Sequence, residues 1–350
     1  MIDSGMVLQM QDDIESSSFI PFRRQNFRFN TSPPFRSLYK PKLESSKQFC
    51  NNYTTINSQQ RHKTLNPQRL ANSSETYKYS AFSACGSSHR IQNTHNQDSF
   101  LAYQNQAYTI LGVFDGNGTN GHLVSDFIKQ QFLSGFSKSE KITQEYIHKI
   151  FSSINNQLFS QTNFNISLSG STAVLLIADG TQITIANVGD SRAVIAKEEN
   201  GSLLAIPLNK VHSLDIVEEK ERIVSKGGRV DYDRDEVNGP LRVWCKYDRT
   251  PGLAMSRVFG HRIASQLGVI AAPDVNKVNI DYSYKFVILG SDGFWDVIKD
   301  YEAVEIVSRE IALGRSTNAA ETLVAEASQK WMKKQAIDDI TAVVLILNNI

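Results

Sequence analysis

Aspartates stand at the ends of several apolar runs in this chain. Val113-Phe114 leads into Asp115-Gly116, the run 286–291 leads into Asp292-Gly293, and Asp338-Asp339 opens the run 340–347. Short β-rich runs bounded in this way read as buried strands. A sheet that gathers their ends builds an oxygen-rich pocket suited to hard divalent cations such as Mg²⁺ or Mn²⁺. The chemistry implied is metal-assisted hydrolysis, with a phosphate ester as substrate.

Those carboxylates need a scaffold, and the pattern around them supplies one. Residues 108–114 read as a strand, and Val124, Phe127, Ile128 and Phe132 recur at helical spacing just after it. Ile142, Tyr146, Ile147, Ile150, Phe151, Ile154 and Leu158 mark a longer amphipathic helix. Runs 171–178, 181–188 and 192–197 read as strands, with Asp179-Gly180 as a hairpin turn between the first two. Gly189-Asp190-Ser191 turns into the third, and Asp190 and Arg192 are expected to act structurally, through an ion pair or a turn hydrogen bond. A helix is expected over 214–226, stopped by Gly227-Gly228. Segment 229–269 is polar and broken by Asn238-Gly239-Pro240 and Pro251-Gly252, so a long irregular loop is expected there. Helical stretches near 300–312 and 317–333 precede the closing strand. Short turns between consecutive strands favour antiparallel pairing. Helices grouped in pairs then cover the sheets as outer layers, which makes a layered α+β domain.

The bulk numbers narrow the function. With 350 residues and 41% apolar content, the chain can bury a substantial core. A formal net charge of +1 draws it to neither nucleic acid nor membrane. Cys50, Cys85 and Cys245 are isolated, so no disulfide framework or zinc ribbon is supported and a reducing compartment fits. No run is long enough to span a bilayer, and the N-terminus lacks an apolar signal core. Residues 1–76 are rich in Ser, Asn, Gln and Arg and are expected to be mostly disordered; the folded domain is expected over 77–350. Location in the cytoplasm or nucleus, as a monomer without nucleic-acid or membrane partners, is the expectation.

A set of motifs in one order sharpens the reading. They are Asn96-Gln97-Asp98-Ser99-Phe100, Gly112-Val113-Phe114-Asp115-Gly116, Gly170-Ser171-Thr172-Ala173 and Ala186-Asn187-Val188-Gly189-Asp190-Ser191-Arg192. Pro251-Gly252-Leu253-Ala254-Met255-Ser256-Arg257, Ser291-Asp292-Gly293-Phe294-Trp295-Asp296 and Asp338-Asp339-Ile340-Thr341 follow. The set resembles the metal-dependent PP2C-type serine/threonine protein phosphatases, over roughly 77 to the C-terminus. The resemblance implies a four-layer αββα sandwich, two antiparallel sheets flanked by helix pairs. It implies two Mg²⁺ or Mn²⁺ ions held by Asp98, Asp115, the Gly116 carbonyl, Asp292 and Asp338. Water activated by that pair would attack a phosphoprotein substrate, with Asp115, Asp98 and Asn117 at the chemistry. Arg90 and Arg257 are the candidate phosphate contacts. Asp98 would serve as a ligand or as the holder of metal-bound water.

The departures from the family pattern matter as much. Asp115-Gly116-Asn117-Gly118 stands where Asp-Gly-His-Gly is usual, and asparagine donates a hydrogen bond but gives up no proton. Losing a general acid typically costs ~10²–10⁴-fold. His122 is a weak substitute, since it falls where a helix begins. Val211 replaces an aspartate of the third metal site, which is therefore doubtful; Gly260-His261 stands for Gly-Asp, and Asn93 aligns with the phosphate-binding arginine. Two functions remain open on this reading: a protein phosphatase of reduced activity, and a pseudophosphatase that binds phosphoproteins without efficient turnover.

Overall fold

The computed structural model describes residues 54–57, 77–86, 95–235, 239–334 and 338–347. Two antiparallel sheets lie face to face. One contains β1 (Thr54–Asn57), β2 (Lys78–Ala84), β8 (Arg192–Glu199), β9 (Ser202–Pro207), β15 (Tyr284–Gly290) and β16 (Ile340–Ile346), in the order β1-β2-β16-β15-β8-β9. The other contains β3 (Asp98–Gln104), β4 (Thr109–Asn117), β5 (Gly170–Ser171), β6 (Ala173–Ala178), β7 (Gln182–Val188), β13 (Phe259–Gly260) and β14 (Asp274–Asn279). Its order is β13-β5-β4-β6-β7-β14, with β3 paired on β4. Helices α1 (Gly121–Ser137) and α2 (Gln144–Ser160) cover the second sheet, and α6 (Asp300–Ala312) and α7 (Ala319–Lys334) cover the first. The four layers expected from the sequence are present.

The layering follows from residue periodicity. Along β4, Ile110 and Phe114 pack under α1 and α2, while Leu111 and Val113 face the other sheet. Alternation with period two makes both faces of such a strand apolar when both are covered. Helix α1 meets the sheet through Val124, Ile128, Phe132 and Phe136, all buried at i, i+4 spacing. Helix α2 answers with Ile147, Ile150, Phe151, Ile154 and Leu158, and Thr143 caps it by accepting from the Tyr146 amide at 3.2 Å. Phe132 is the hub. Its ring centroid lies 4.8 Å from Phe151, 5.8 Å from Phe114 and 5.9 Å from Phe259.

One expectation changes. Segment 229–269 is not one irregular loop. It forms a small sheet of β10 (Arg229–Tyr232), β11 (Leu241–Trp244) and β12 (Pro251–Leu253), then β13 and the short α4 (Arg262–Gln266). Val243 and Leu253 pack with Ile223 of α3 (Val217–Ser225), so a few apolar residues in polar surroundings suffice to pin the hairpins. Strand β1 falls inside 1–76 and pairs with β2, Ile56 opposite Ala81. The rest of that segment lies outside the described residues, as do Cys50, Arg90 and Asn93. No helix among the described residues is long and apolar enough to cross a membrane.

Because Phe132 is fully buried and bridges four elements, Phe132→Ala is expected to cost ~3–5 kcal/mol. Equilibrium denaturant unfolding measures it; a loss under about 1 kcal/mol would deny the hub role.

Candidate active site

The apolar interior between the sheets turns polar at one end. Strand positions whose side chains face that interior continue, past the last apolar residue, into Ser83, Asp98, Asp115, Thr172, Ser291 and Thr341. Pairing then brings them together. Asp98 lies opposite Asp115 in the β3–β4 register, and Ser83 opposite Thr341 in the β2–β16 register. Asp115 is pinned through its backbone. Its amide donates to Thr172 Oγ1 at 3.1 Å, and its carbonyl accepts from the Thr172 amide at 2.9 Å. Thr172 Oγ1 also meets Ser191 Oγ at 2.8 Å, which ties the Gly189-Asp190-Ser191 turn to the same point.

Gly116 is glycine for a packing reason. Its amide donates to the Gln97 carbonyl at 3.1 Å. A Cβ there would sit 2.6 Å from that oxygen and closer still to the Gly121 carbonyl at the start of α1. Gly116 therefore packs directly against the first residue of α1. From the first sheet, Ser291 Oγ donates to Asp98 Oδ2 at 2.7 Å and accepts from the Thr341 amide at 3.1 Å. Asp292 opens the short α5 (Asp292–Trp295) directly after Ser291. Asp339 is buried and accepts from the amides of Gly86 at 2.6 Å and Gln97 at 2.7 Å, a clamp between β2, β3 and β16. Asp338 is exposed beside it, and its charge bears on Asp98, Asp115, Asp190 and Asp292.

Carboxylate oxygens of Asp115, Asp190 and Asp292 all lie within 4.8 Å of one another. Asp190, expected to act only in its turn, thus also faces the two other carboxylates, and its Oδ1 is buried without a partner among the described residues. Its neighbour Arg192 does serve structure. It pairs with both oxygens of Asp300, at 2.7 and 2.8 Å, and stacks over Trp295. Behind Asp190 stands the buried His212, whose Nδ1 accepts from the Gly189 amide at 3.0 Å while its own amide donates to the Gly189 carbonyl at 3.0 Å. His212 Nε2 lies 3.2 Å from Asp274 Oδ2 without the alignment of a hydrogen bond.

Arg257 does not reach the pocket as a free phosphate contact. It gives Nη2 to Glu219 at 2.7 Å, and Nη1 to Asp274 and the Ala272 carbonyl at 2.9 Å. Its guanidinium is spent on holding the β13 approach, and it shares the buried Glu219 carboxylate with Arg222. His122 stacks on His95 with ring centroids 4.6 Å apart. Asn117, two residues beyond Asp115, has its Oδ1 2.9 Å from His261 Nε2. The sequence marked His261 only as an oddity; its partner is 144 positions away.

Electrostatics decide what this pocket wants. Burial, then the charge of Asp339, pushes Asp98 up to about 8. Burial, with Asp296 adding to it, pushes Asp190 up to about 6. Burial and mutual repulsion hold Asp115 and Asp292 well above the usual carboxylate range. Four acidic groups that resist ionising together, one with an unpartnered oxygen, fit a divalent cation of the hard, oxygen-seeking kind. The consequence for stability has a definite sign. Between the ordinary aspartate value of 3.8 and about 8, folded Asp98 holds a proton that the unfolded chain has lost. Its contribution to stability is therefore present at low pH and is lost as pH rises through that window. Thermal unfolding in EDTA should show Tm falling over that range, with a shallower fall in Asp98→Asn and recovery on adding Mn²⁺. An identical pH slope in wild type and Asp98→Asn would contradict the assignment.

Comparison with known proteins agrees with this fold. The protein phosphatase 2C family model matches residues 73–336. "Probable protein phosphatase 2C 72" of Arabidopsis thaliana is 35% identical over 288 residues, covering 75% of this chain and 86% of that one. "Probable protein phosphatase 2C 73" of the same plant is 34% identical, covering 73% and 76%. A crystal structure of serine-threonine phosphatase 2C from Toxoplasma gondii superposes with a TM-score of 0.65 at 23% identity, over 84% of this chain and 99% of that one. With its acidic pocket at the end of a helix-flanked sandwich, the chain belongs to the protein phosphatase 2C family.

Proposed function

We propose that the protein hydrolyses phosphoserine and phosphothreonine monoesters on proteins with the aid of Mg²⁺ or Mn²⁺. The observation that carries this reading is the convergence of Asp115, Asp190 and Asp292 oxygens within 4.8 Å. Asp115, Asp190 and Asp292 would hold the cations, with the Gly116 carbonyl, Asp98 and Asp338 around them. Divalent cations bound there supply positive charge that lowers the pKa of a coordinated water and offsets the phosphate's charge. The protein's own part is orientation. Asp98, fixed by Ser291 on Oδ2, receives a hydrogen bond from the attacking water. Water adds to phosphorus, the P–O ester bond breaks, and the alcohol departs with a proton drawn from water. Neither a nucleophilic cysteine nor a phosphoenzyme is required.

Asn117 stands beside the leaving oxygen in this scheme and cannot protonate it. Substrates with acidic leaving groups lose least from that change. Val211, just before His212, offers no side-chain oxygen, so the scheme uses two cations and not a third.

Phosphate release from a phosphothreonine peptide should require Mn²⁺ or Mg²⁺ and vanish in EDTA. Asp115→Asn and Asp292→Asn should each lose at least ~10²-fold in kcat. Activity that survives EDTA unchanged would end the metal mechanism. Saturable Mn²⁺-dependent phosphopeptide binding without turnover would instead support a pseudophosphatase, the reading that Asn117 and Val211 favour. Asn117→His should raise kcat on phosphoserine more than on an aryl phosphate; equal gains would contradict the role given to residue 117.

A further inference from the structure

The two departures at the centre of the family motifs touch each other. Asn117 ends β4, and His261 follows β13; β5 lies between them, with Gly170 opposite both Asn117 and Gly260. His261 is only 3% exposed and adopts a left-handed backbone, φ 49° and ψ 61°. That conformation is uncommon for a residue with a side chain and persists where the surroundings fix it. Here they do: the His261 amide donates to the Ser169 carbonyl at 2.8 Å, and the amides of Arg262 and Ile263 donate to the carbonyls of Ile166 and Ser167. A Cβ on Gly170 would lie 2.9 Å from the His261 ring, so the imidazole fills space that only glycine leaves open.

The hydrogen bond between the two side chains has one possible direction. Asn117 Oδ1 accepts only, so His261 Nε2 carries the proton and donates across 2.9 Å. Burial pushes His261 down to about 4, so the ring is neutral near pH 7 and Nδ1 is a bare acceptor. Both His261 Nδ1 and Asn117 Nδ2 are buried without hydrogen-bond partners among the described residues. Buried polar groups usually find partners, and a donor left over beside a reacting centre points to a ligand. Asn117 shares the side of β4 that carries Asp115, by the period of two along a strand.

We propose that His261 is a positioning residue: by holding Asn117 Oδ1 it presents the amide NH₂, rather than the carbonyl, to the leaving oxygen of a phosphoester. An amide turned the other way would set oxygen against oxygen and repel the substrate. The site then stabilises the departing alkoxide with a fixed neutral donor, while the proton comes from water. This inference rests on the phosphatase reading for its kinetic consequence, but the orientation itself can be read without turnover.

The test uses the full chain, labelled with ¹⁵N-histidine, and the variants His261→Phe and His261→Gln. Imidazole ¹⁵N spectra of the wild type should show His261 as the Nε2–H tautomer, and Asn117→Ala should shift that signal. With Mn²⁺, His261→Phe should lower kcat on a phosphothreonine peptide ~10-fold while KM and Mn²⁺ affinity stay within about twofold. Turnover of p-nitrophenyl phosphate should barely change, because its leaving oxygen needs little help. His261→Gln, whose amide can also donate, should recover most of the loss. An Nδ1–H tautomer, equal losses on both substrates, or a folded His261→Gln no better than His261→Phe would each overturn the proposal. If the wild type turns over neither substrate, the phosphatase reading fails, and the tautomer alone decides the orientation.

Discussion

Repulsion among clustered carboxylates, one buried and three half-buried, is the interaction around which this molecule is arranged. Asp98, Asp115, Asp190 and Asp292 come from four separate segments and meet where the inter-sheet core ends. Left to themselves they would spread apart, because each charge raises the cost of ionising the next. They stay together because their backbones are committed elsewhere. Asp98 and Asp115 face each other in a paired register, Thr172 grips Asp115 from both backbone groups, and Ser291 reaches across from the opposite sheet. The apolar layers around Phe132 and between the sheets supply the stability that such a cluster consumes. On the function proposed, a divalent cation would offset that repulsion.

The fold was legible where periodicity was strong. The helices carrying Phe132 and Phe151 announce themselves at i, i+4 spacing, and the Asp115 and Asp292 strands end abruptly in carboxylates. Strands with mixed polarity were not legible. Asp98–Gln104 pairs along its whole length with β4, yet its last three residues are only half-buried and show no clean alternation. The 229–269 segment misled for a related reason: its hairpins hold a few apolar residues each and depend on α3 for burial. Local sequence cannot report a core that lies on another element.

Within the site, the sequence marked the carboxylates at strand ends but did not show where the fold puts two residues. Asp190 resembled a turn residue, and only the register of β6 with β7 shows that its turn opens into the acidic pocket. Its signal was present, because it too ends an apolar strand. Arg257 looked like a phosphate contact because it is an arginine in a motif loop. In the fold its donors are consumed by Glu219, Asp274 and a carbonyl. The pairing of Asn117 with His261 joins residues far apart in the chain, and no local pattern encodes it. What the sequence did disclose is that both positions depart from the family at once, and the structure makes them neighbours.

On the function proposed, the cluster would be a cation site whose carboxylates, raised by burial and mutual repulsion, give up protons as the cation binds. Calorimetric titration of Mn²⁺ near neutral pH, in two buffers of different ionisation enthalpy, reads that directly. The account predicts saturable binding accompanied by proton release, with both greatly weakened in Asp115→Asn. Binding without proton release, or equal binding by wild type and Asp115→Asn, would contradict it.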